Sequence, residues 1–294
     1  MMSVYVETLT KVKGNWLLFW KLFKRDMWMR YAWLQWILPF EIANLIFGLA
    51  TWVYYGKAFG GNSPLLRPYG GDFLAYIILG MSFNQLLMFS MSGIYYRIRN
   101  LHTGSWSSFG VRMSLAEYIA VARIPMFIYL SSSIFWGYCQ SFIKMIIYIG
   151  AGVFLFKMQL IRPEANYIGT VFFILLGISA TIGLGLISAS MVWFAGAWHG
   201  NEPIQWLVGM MVSIASGVYF PPEVLPDWLS RAAQLLPQTH SLRAARLAIL
   251  QGYSIGQLRK EILFLLILTI VLLTAGILLF RYSQEIAKRR GALS

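Results

Sequence analysis

Charged residues are scarce in this sequence. They make up 12% of its 294 residues, whereas 58% of the residues are apolar and 16% are aromatic. A soluble domain of ordinary composition has about 25% charged residues, which it needs to cover a wet surface. This scarcity excludes an ordinary soluble protein and indicates a membrane protein.

Patterns that would mark a catalytic or metal centre are also missing from the sequence. Cys139 is the only cysteine, and neither an HExxH nor a CxxC pattern occurs. His199, Glu202 and His240 are too scattered to predict a metal site, and Ser131–Ser133 has no neighbouring His–Asp arrangement. We therefore predict a non-catalytic chain that has no cofactor of its own.

Long apolar runs dominate what is present. Residues 262–280 contain no charge, and about 20 such residues cross the hydrocarbon core of a bilayer as a helix. We predict an all-α membrane protein with a single transmembrane domain, residues 1–294. The six predicted spans are residues 31–55, 73–96, 115–156, 167–194, 203–219 and 255–280.

Residues 15–29 read as an amphipathic helix that precedes the first span. Trp16, Trp20 and Phe23 recur at helical spacing, while Lys21 and Lys24 occupy the other side. This pattern predicts a helix that lies in the lipid headgroup layer. The alternative is an amphipathic helix packed on its own protein.

The distribution of Lys and Arg predicts how the chain is oriented. With both termini on one side, that side has fourteen Lys and Arg residues and the other side has nine. Because cytoplasmic flanks are enriched in these residues, we predict cytoplasmic termini in a plasma (inner) membrane. The net charge of +13 does not indicate nucleic-acid binding, since the basic residues flank apolar runs that meet lipid headgroups.

Residues 98–113, between the second and third spans, form a polar connection on the predicted cytoplasmic side. The next four residues, Ser114 to Glu117, match a capping box and predict that a helix begins at Leu115. That helix would be longer than the bilayer requires, with a kink at Pro125. A helix that projects beside a polar segment predicts a docking site for a soluble partner.

The connection between the fifth and sixth spans, residues 217–254, is predicted to be external and partly re-entrant. Its prolines and Gly252 delimit two short helices, residues 227–236 and 239–251, which are too short to cross a bilayer. Ser254 to Gln257 is a second capping-box pattern that predicts the start of the last span. Arg243 and Arg246 could meet anionic headgroups or a glycan, or could lie on a solvated helix face.

Two charged residues fall inside predicted spans. Glu41 lies in the first span and Lys144 in the third, where a charge costs on the order of 2.5–3.5 kcal/mol. Either they line the path of a substrate or they form structural bonds, and the two could pair with each other. The candidate substrate-path residues are Glu41, Asn44, Asn84 and Lys144.

The segment after the fifth span resembles the ABC type-2 permease family, the membrane subunits of many exporters. The resemblance is carried by residues 216–229, SGVYFPPEVLPDWL, by residues 235–240, LLPQTH, and by Arg246 and Gly252. The residues singled out in this external re-entrant loop are Gly217, Phe220, Pro221, Pro226, Trp228 and Pro237.

The resemblance implies a short coupling helix between the second and third spans that docks on an ATPase. Gly104–Ser105 stands where the family usually has Gly-Thr, but the acidic residue common soon afterwards is absent. The implied ATPase-coupling residues are His102, Thr103, Gly104, Ser105, Trp106, Phe109 and Arg112.

The function implied is that of the permease subunit of an ATP-driven exporter of a drug, lipid or glycan. No Walker-A pattern occurs in the sequence, so a separate ABC ATPase subunit would bind ATP and Mg²⁺. A second permease chain would complete a dimer that works by alternating access. The alternatives are an ATP-independent carrier or channel, or a membrane-embedded lipid-modifying enzyme, which would need a cluster of ionisable residues at one depth.

Overall fold

The computed structural model describes the backbone of residues 2–58, 64–102, 104–106, 112–158, 163–194 and 203–289. It describes the same side chains except those of residues 2–13, 30–38, 58, 64–65, 104–106, 112–113, 193–194, 203 and 288. The α-helices are α1 Met2–Ala58, α2 Phe73–Met88, α3 Ile94–His102, α4 Leu115–Val121, α5 Met126–Phe154, α6 Tyr167–Phe194, α7 Pro203–Ala215, α8 Asp227–Ala233, α9 Pro237–Gln251 and α10 Arg259–Arg289.

Four helical stretches are long and apolar enough to cross a bilayer. They are Phe73–His102, Met126–Phe154, Tyr167–Val192 and Arg259–Ala287. The first joins α2 to α3 through a π-helix, Phe89–Gly93, and α6 has the bounds predicted for the fourth span. These stretches make the chain a helical membrane protein. The last span begins at Arg259, four residues later than predicted, because residues 255–258 form a turn.

The structure differs from the predicted first and fifth spans in two separate ways. α1 includes residues 15–29 and 31–55 in one helix of 57 residues, so a separate interfacial helix is not seen. The reason is that residues 15–38 contain neither glycine nor proline to end a helix. α7 has only 13 residues, about 20 Å in length, which is shorter than a bilayer core.

The predicted third helix is divided in two. Ser114 and Glu117 form the predicted capping box at the start of α4. After α4 the chain turns, with Arg123 at a φ of 54°, and α5 starts behind Pro125. A proline restricts the preceding residue and has no N–H to give, so Pro125 separates two helices and the predicted kink is wrong.

The polar connection between α3 and α4 contains two short strands. β1 (Gly104–Trp106) pairs antiparallel with β2 (Arg112–Ser114), so that Gly104 faces Ser114. The backbone of these residues is therefore extended, and the short helix implied by the resemblance does not include them. Residues 103 and 107–111 lie outside the described residues.

The core is built around α2 and α9. Tyr76, Ile77, Ile78 and Leu79 of α2 are fully buried, and twelve residues of α9 are buried where it packs on α2, α6 and α10. α6 and α10 approach closely at Gly183, where an added Cβ would lie 2.4 Å from the Leu272 carbonyl carbon. α9 therefore has the burial of a core helix.

A 3₁₀ helix, Pro64–Tyr69, precedes α2, and another, Pro222–Val224, precedes α8. α8 begins at Asp227 as predicted but ends at Ala233. α9 begins at Pro237, two residues before its predicted start, since a proline fits the first position of a helix. Gly252 ends α9 in the left-handed conformation (φ 68°), as predicted.

Candidate functional site

Arg246 of α9 is the largest fully buried side chain among the described residues. It is 1% exposed, and its guanidinium donates to the carbonyls of Tyr76, Gly217 and Val218 at 3.0, 2.6 and 2.9 Å. The guanidinium carbon also lies 3.7 Å from the centre of the Tyr76 ring. One side chain thus joins α9, α2 and the chain that follows α7.

The surroundings of Arg246 are fitted to its shape. A Cβ on Gly80 would lie 1.8 Å from Nη2 of Arg246, so only glycine leaves room for the guanidinium. Gly217 has a φ of 82°, and its carbonyl accepts a second hydrogen bond from the Tyr76 hydroxyl at 2.9 Å. Burial lowers the pKa of Arg246, while Tyr76 and Tyr69 oppose this effect. Arginine nevertheless stays protonated in proteins, so a positive charge is held here by carbonyl dipoles.

Both readings of Arg246 from the sequence are wrong, since it meets neither headgroups nor solvent. Arg243, three residues earlier, does lie at the surface, where its side chain is 47% exposed. The spacing of three residues placed both on one side of a helix, but it held no information about which of them the core would cover.

Four ionisable side chains form a second site next to Arg246, which we call the His240–Glu261 cluster: Glu223, His240, Arg243 and Glu261. Nδ1 of His240 lies 2.5 Å from a carboxylate oxygen of Glu261, and Nε2 lies 2.9 Å from the Gln234 carbonyl. Arg243 is 3.6 Å from the other Glu261 oxygen and 3.5 Å from Glu223.

Sequence reasoning missed this cluster. It treated His240 only as too far from other possible ligands to predict a metal site, but His240 is a buried residue of α9. The available signal was weak: His240 and Arg243 are three apart, and Glu261 falls in the first turn of α10. Only the fold brings α10 against α9.

Most of the six residues singled out in the external loop shape the backbone of that loop. Gly217 supplies the left-handed turn, Pro226 directly precedes α8, and Pro237 begins α9. Pro221 caps the 3₁₀ helix, Phe220 is half-buried, and the Trp228 side chain of α8 is 70% exposed. Tyr219 stacks on Trp52 of α1, with ring centres 4.2 Å apart, so the loop is also attached to α1.

Glu41 and Lys144 form the ion pair that the sequence suggested. Nζ of Lys144 lies 3.5 Å from Oε1 of Glu41, and the two side chains are 35% and 45% exposed respectively. Asn44, three residues along α1, is also exposed. Asn84 belongs to α2, and no contact with this pair is found among the described residues. Its side-chain oxygen is buried without a hydrogen-bond partner in the described part of the chain.

An apolar groove of about 370 Å³ opens between α2, α5 and α6. Phe83 of α2, Tyr138 and Phe142 of α5, and Ile174 of α6 line it. Among the described residues that line the groove, none is charged.

The predicted coupling residues lie at the far end of α3. His102 is the last residue of α3, Gly104–Trp106 is β1, and Arg112 begins β2. Thr103 and Phe109 lie outside the described residues. Nearby, Arg97 donates to Ser133 of α5 and covers the Phe89 ring, so the end of α3 is attached to α5.

Comparison with known proteins adds no identification. No family model matches the chain, and no curated protein matches its sequence. In the described part of the chain, no group of three or more His, Cys, Asp or Glu residues could hold a metal ion. The arrangement therefore offers a buried arginine anchor, an ionic cluster and a partly exposed ion pair between two helices.

Proposed function

We propose that the chain is the permease subunit of an ATP-driven exporter of the ABC type-2 class. The observation that carries the proposal is the segment from Ser216 to Gly252, which contains the residues that resemble the type-2 permease family. Gly217, Pro226, Pro237, Arg246 and Gly252 all have defined structural positions in one unit. A motif whose residues cooperate in one unit is better support than the same letters scattered over a surface.

In this proposal α1 (31–55) and the segment from α7 to Tyr219 supply the first and fifth of six spans. Both termini are cytoplasmic, residues 15–29 contact lipid headgroups, and α8 and α9 form the external re-entrant part. The polar face of α1 supports a translocation path there, because Glu41 and Asn44 are exposed and a charge facing lipid is costly. A second permease chain would cover this face and leave a hydrated path between the two copies.

The ATPase would be a separate subunit that binds ATP and Mg²⁺, since the sequence has no Walker-A pattern. Its docking surface in this proposal is the β1–β2 hairpin at the end of α3. Movement of the hairpin would be transmitted by α3, which Arg97 attaches to α5. Alternating access then follows from rigid helices moving at the interface of the two chains.

Reconstitution separates this function from its alternatives. The chain is purified from its native host with bound proteins, and ATP hydrolysis and cargo movement are measured in vesicles. An exporter subunit brings down an ATPase in stoichiometric amount and moves cargo only with ATP. Cargo movement by the isolated chain without ATP would instead indicate a carrier or channel, and chemical change of a lipid would indicate an enzyme.

The docking surface has its own test in the double variant Gly104→Glu/Trp106→Glu. Two acidic residues at this surface should uncouple ATP hydrolysis from transport without loss of the folded chain. The control is Val224→Glu/Leu235→Glu, which adds the same charge at exposed positions near the other end of the molecule. Normal transport by the first double variant would show that the hairpin is not the docking surface.

A further inference from the structure

Residues 16–29 of α1 have one face packed on α5 and the opposite face exposed. Phe19 and Phe23 contact Phe135 of α5, with ring centres 5.9 and 5.5 Å apart. The Ser132 hydroxyl of α5 also donates to the carbonyl of Phe19 at 3.3 Å. The apolar side of this amphipathic segment is therefore covered by the protein itself.

These contacts also set the depth of the segment in the membrane. Ser132 and Phe135 lie within about the first 15 Å of α5, which begins at Met126. α5 has 29 residues and is about 43 Å long, whereas a hydrocarbon core is about 30 Å thick. The Arg25 guanidinium lies nearer still to the start of α5, 5.1 Å from the centre of the Tyr129 ring. The segment therefore lies beside one end of a membrane span, where hydrocarbon gives way to headgroups.

The exposed side of the segment combines tryptophan with lysine, and we call it the Trp20–Trp28 face: Trp20, Lys21, Lys24 and Trp28. Trp20, Lys24 and Trp28 follow one another at intervals of four residues, so they form one row along the helix. The Trp28 side chain is 66% exposed, and the other three are exposed beside it. Tryptophan is enriched where a bilayer meets water, and the long stem of lysine lets its ammonium group reach the headgroups. The face has the composition of a surface that meets lipid headgroups.

The positive charge of this face is not neutralised within the described part of the chain. Asp26, the only acidic residue among residues 15–29, pairs with Arg25 at 2.7 Å. Among the described residues, no ion-pair partner is found for Lys21 or Lys24. The two lysines are three residues apart on one helix, so both ammonium groups can approach one phosphate or two neighbouring phosphates. A zwitterionic headgroup would bring its own cation close to them, whereas an anionic headgroup brings a net negative charge.

We propose that the Trp20–Trp28 face is a binding site for the headgroups of anionic phospholipids. Lys21 and Lys24 bind the phosphate, and the two tryptophan rings hold the helix at headgroup depth. This inference rests on the proposed function, in which residues 15–29 contact headgroups, and deepens it by naming the class of lipid. The chain alone forms the face, so the lipid preference can be measured without an ATPase.

Quenching of a fluorophore on the face would measure the preference. Leu17, which is 57% exposed and one turn from Lys21, is changed to cysteine and labelled with bimane in a Cys139→Ser background. The full chain is placed in phosphatidylcholine nanodiscs that contain equal small fractions of doxyl-labelled phosphatidylglycerol or doxyl-labelled phosphatidylcholine, with the doxyl group high on the acyl chain. Each lysine near an anionic surface strengthens binding about fivefold, so phosphatidylglycerol should quench the bimane several-fold more strongly at low salt. The two lipids should approach equal quenching at about 0.5 M salt, because salt screens exposed charges.

Variants of the two lysines test whether they cause the preference. Lys21→Gln/Lys24→Gln should bring the quenching by the two lipids to equality. Lys21→Arg/Lys24→Arg should keep the preference, because arginine also binds phosphate. The matched control is Lys57→Gln/Lys157→Gln, which removes the same charge at exposed positions outside the face and should leave the preference unchanged.

Three results would overturn the proposal. They are equal quenching of the wild type by the two lipids at low salt, a preference that persists in Lys21→Gln/Lys24→Gln, and a bimane that neither lipid quenches. The last result would mean that the face meets water or a soluble partner instead of lipid. A chain that prefers anionic lipid but moves no cargo when its ATPase is present would contradict the proposed function and leave this inference standing.

Discussion

The connection between α7 and α10 and the outer face of α1 both place charge in an apolar molecule, but they do so in opposite ways. In the connection, Arg246 is fully buried and its guanidinium is satisfied by three carbonyls of the same chain. On α1, Glu41 has a single described ion-pair partner, Lys144, and the Glu41 and Lys144 side chains are 45% and 35% exposed.

Polar groups that stabilise the fold can therefore be separated from polar groups that need water or another chain. A buried charge is tolerated only when hydrogen bonds replace the water it has lost, and Arg246 meets that condition without help. Glu41 and Lys144 do not meet it among the described residues. We therefore interpret Arg246 as a stabilising anchor and the Glu41–Lys144 pair as part of a surface that water or another chain completes.

Removal of the anchor should produce the largest effect. Arg246→Met fills similar space but removes a donor from the carbonyls of Tyr76, Gly217 and Val218, of which Gly217 keeps the Tyr76 hydroxyl. We expect the free energy of unfolding to fall by about 3–5 kcal/mol, the usual cost of breaking a buried polar network. The measurement is unfolding in mixed detergent micelles, monitored by tryptophan fluorescence.

Arg243→Met is the matched control, because Arg243 lies on the same helix but at the surface. It should change the free energy of unfolding by no more than about 1 kcal/mol. If Arg246→Met and Arg243→Met have equal effects, the contrast between anchored and exposed charge is wrong.

The space around the Arg246 guanidinium can be tested by a substitution in α2. Gly80→Ala places a Cβ 1.8 Å from Nη2 of Arg246 and 2.4 Å from the Val218 carbonyl oxygen. We expect a loss of about 1–3 kcal/mol, since the guanidinium must move and overpacking of a core has this cost. Gly150→Ala in α5 is the control, because an added Cβ there meets nothing within 4 Å. That variant should be neutral or slightly stabilising, as alanine favours a helix.

The elements that the sequence predicted well are those decided by local patterns. α6 has its predicted bounds, the capping box of Ser114 and Glu117 forms, and Gly252 ends α9 in the left-handed conformation. Each depends on residues within a few positions of one another. These features are decided by local properties: the length of an apolar run, a side chain that reaches the next turn, and the freedom of glycine at positive φ.

The features that the sequence did not predict depend on distant partners. The sequence analysis placed Arg246 with Arg243 at headgroups, at a glycan or on a solvated helix face, but α2 covers it. His240 and Glu261 are 21 positions apart and meet only because α10 folds back on α9.

The smallest expected effect concerns the Glu41–Lys144 pair, and it tests the other half of the comparison. In a double-mutant cycle of Glu41→Gln and Lys144→Gln, a pair on a hydrated surface should have a coupling free energy below about 1 kcal/mol. That coupling should weaken further when salt is raised from about 0.05 to about 0.5 M, since salt screens exposed charges. Unfolding in detergent micelles gives the four free energies, and Arg25 with Asp26, which are 2.7 Å apart, serves as a control pair whose arginine is exposed. A coupling above about 2 kcal/mol that salt leaves unchanged would mean a dry environment. The pair would then be a buried part of the fold like Arg246, and the interpretation of α1 as a hydrated face would be wrong.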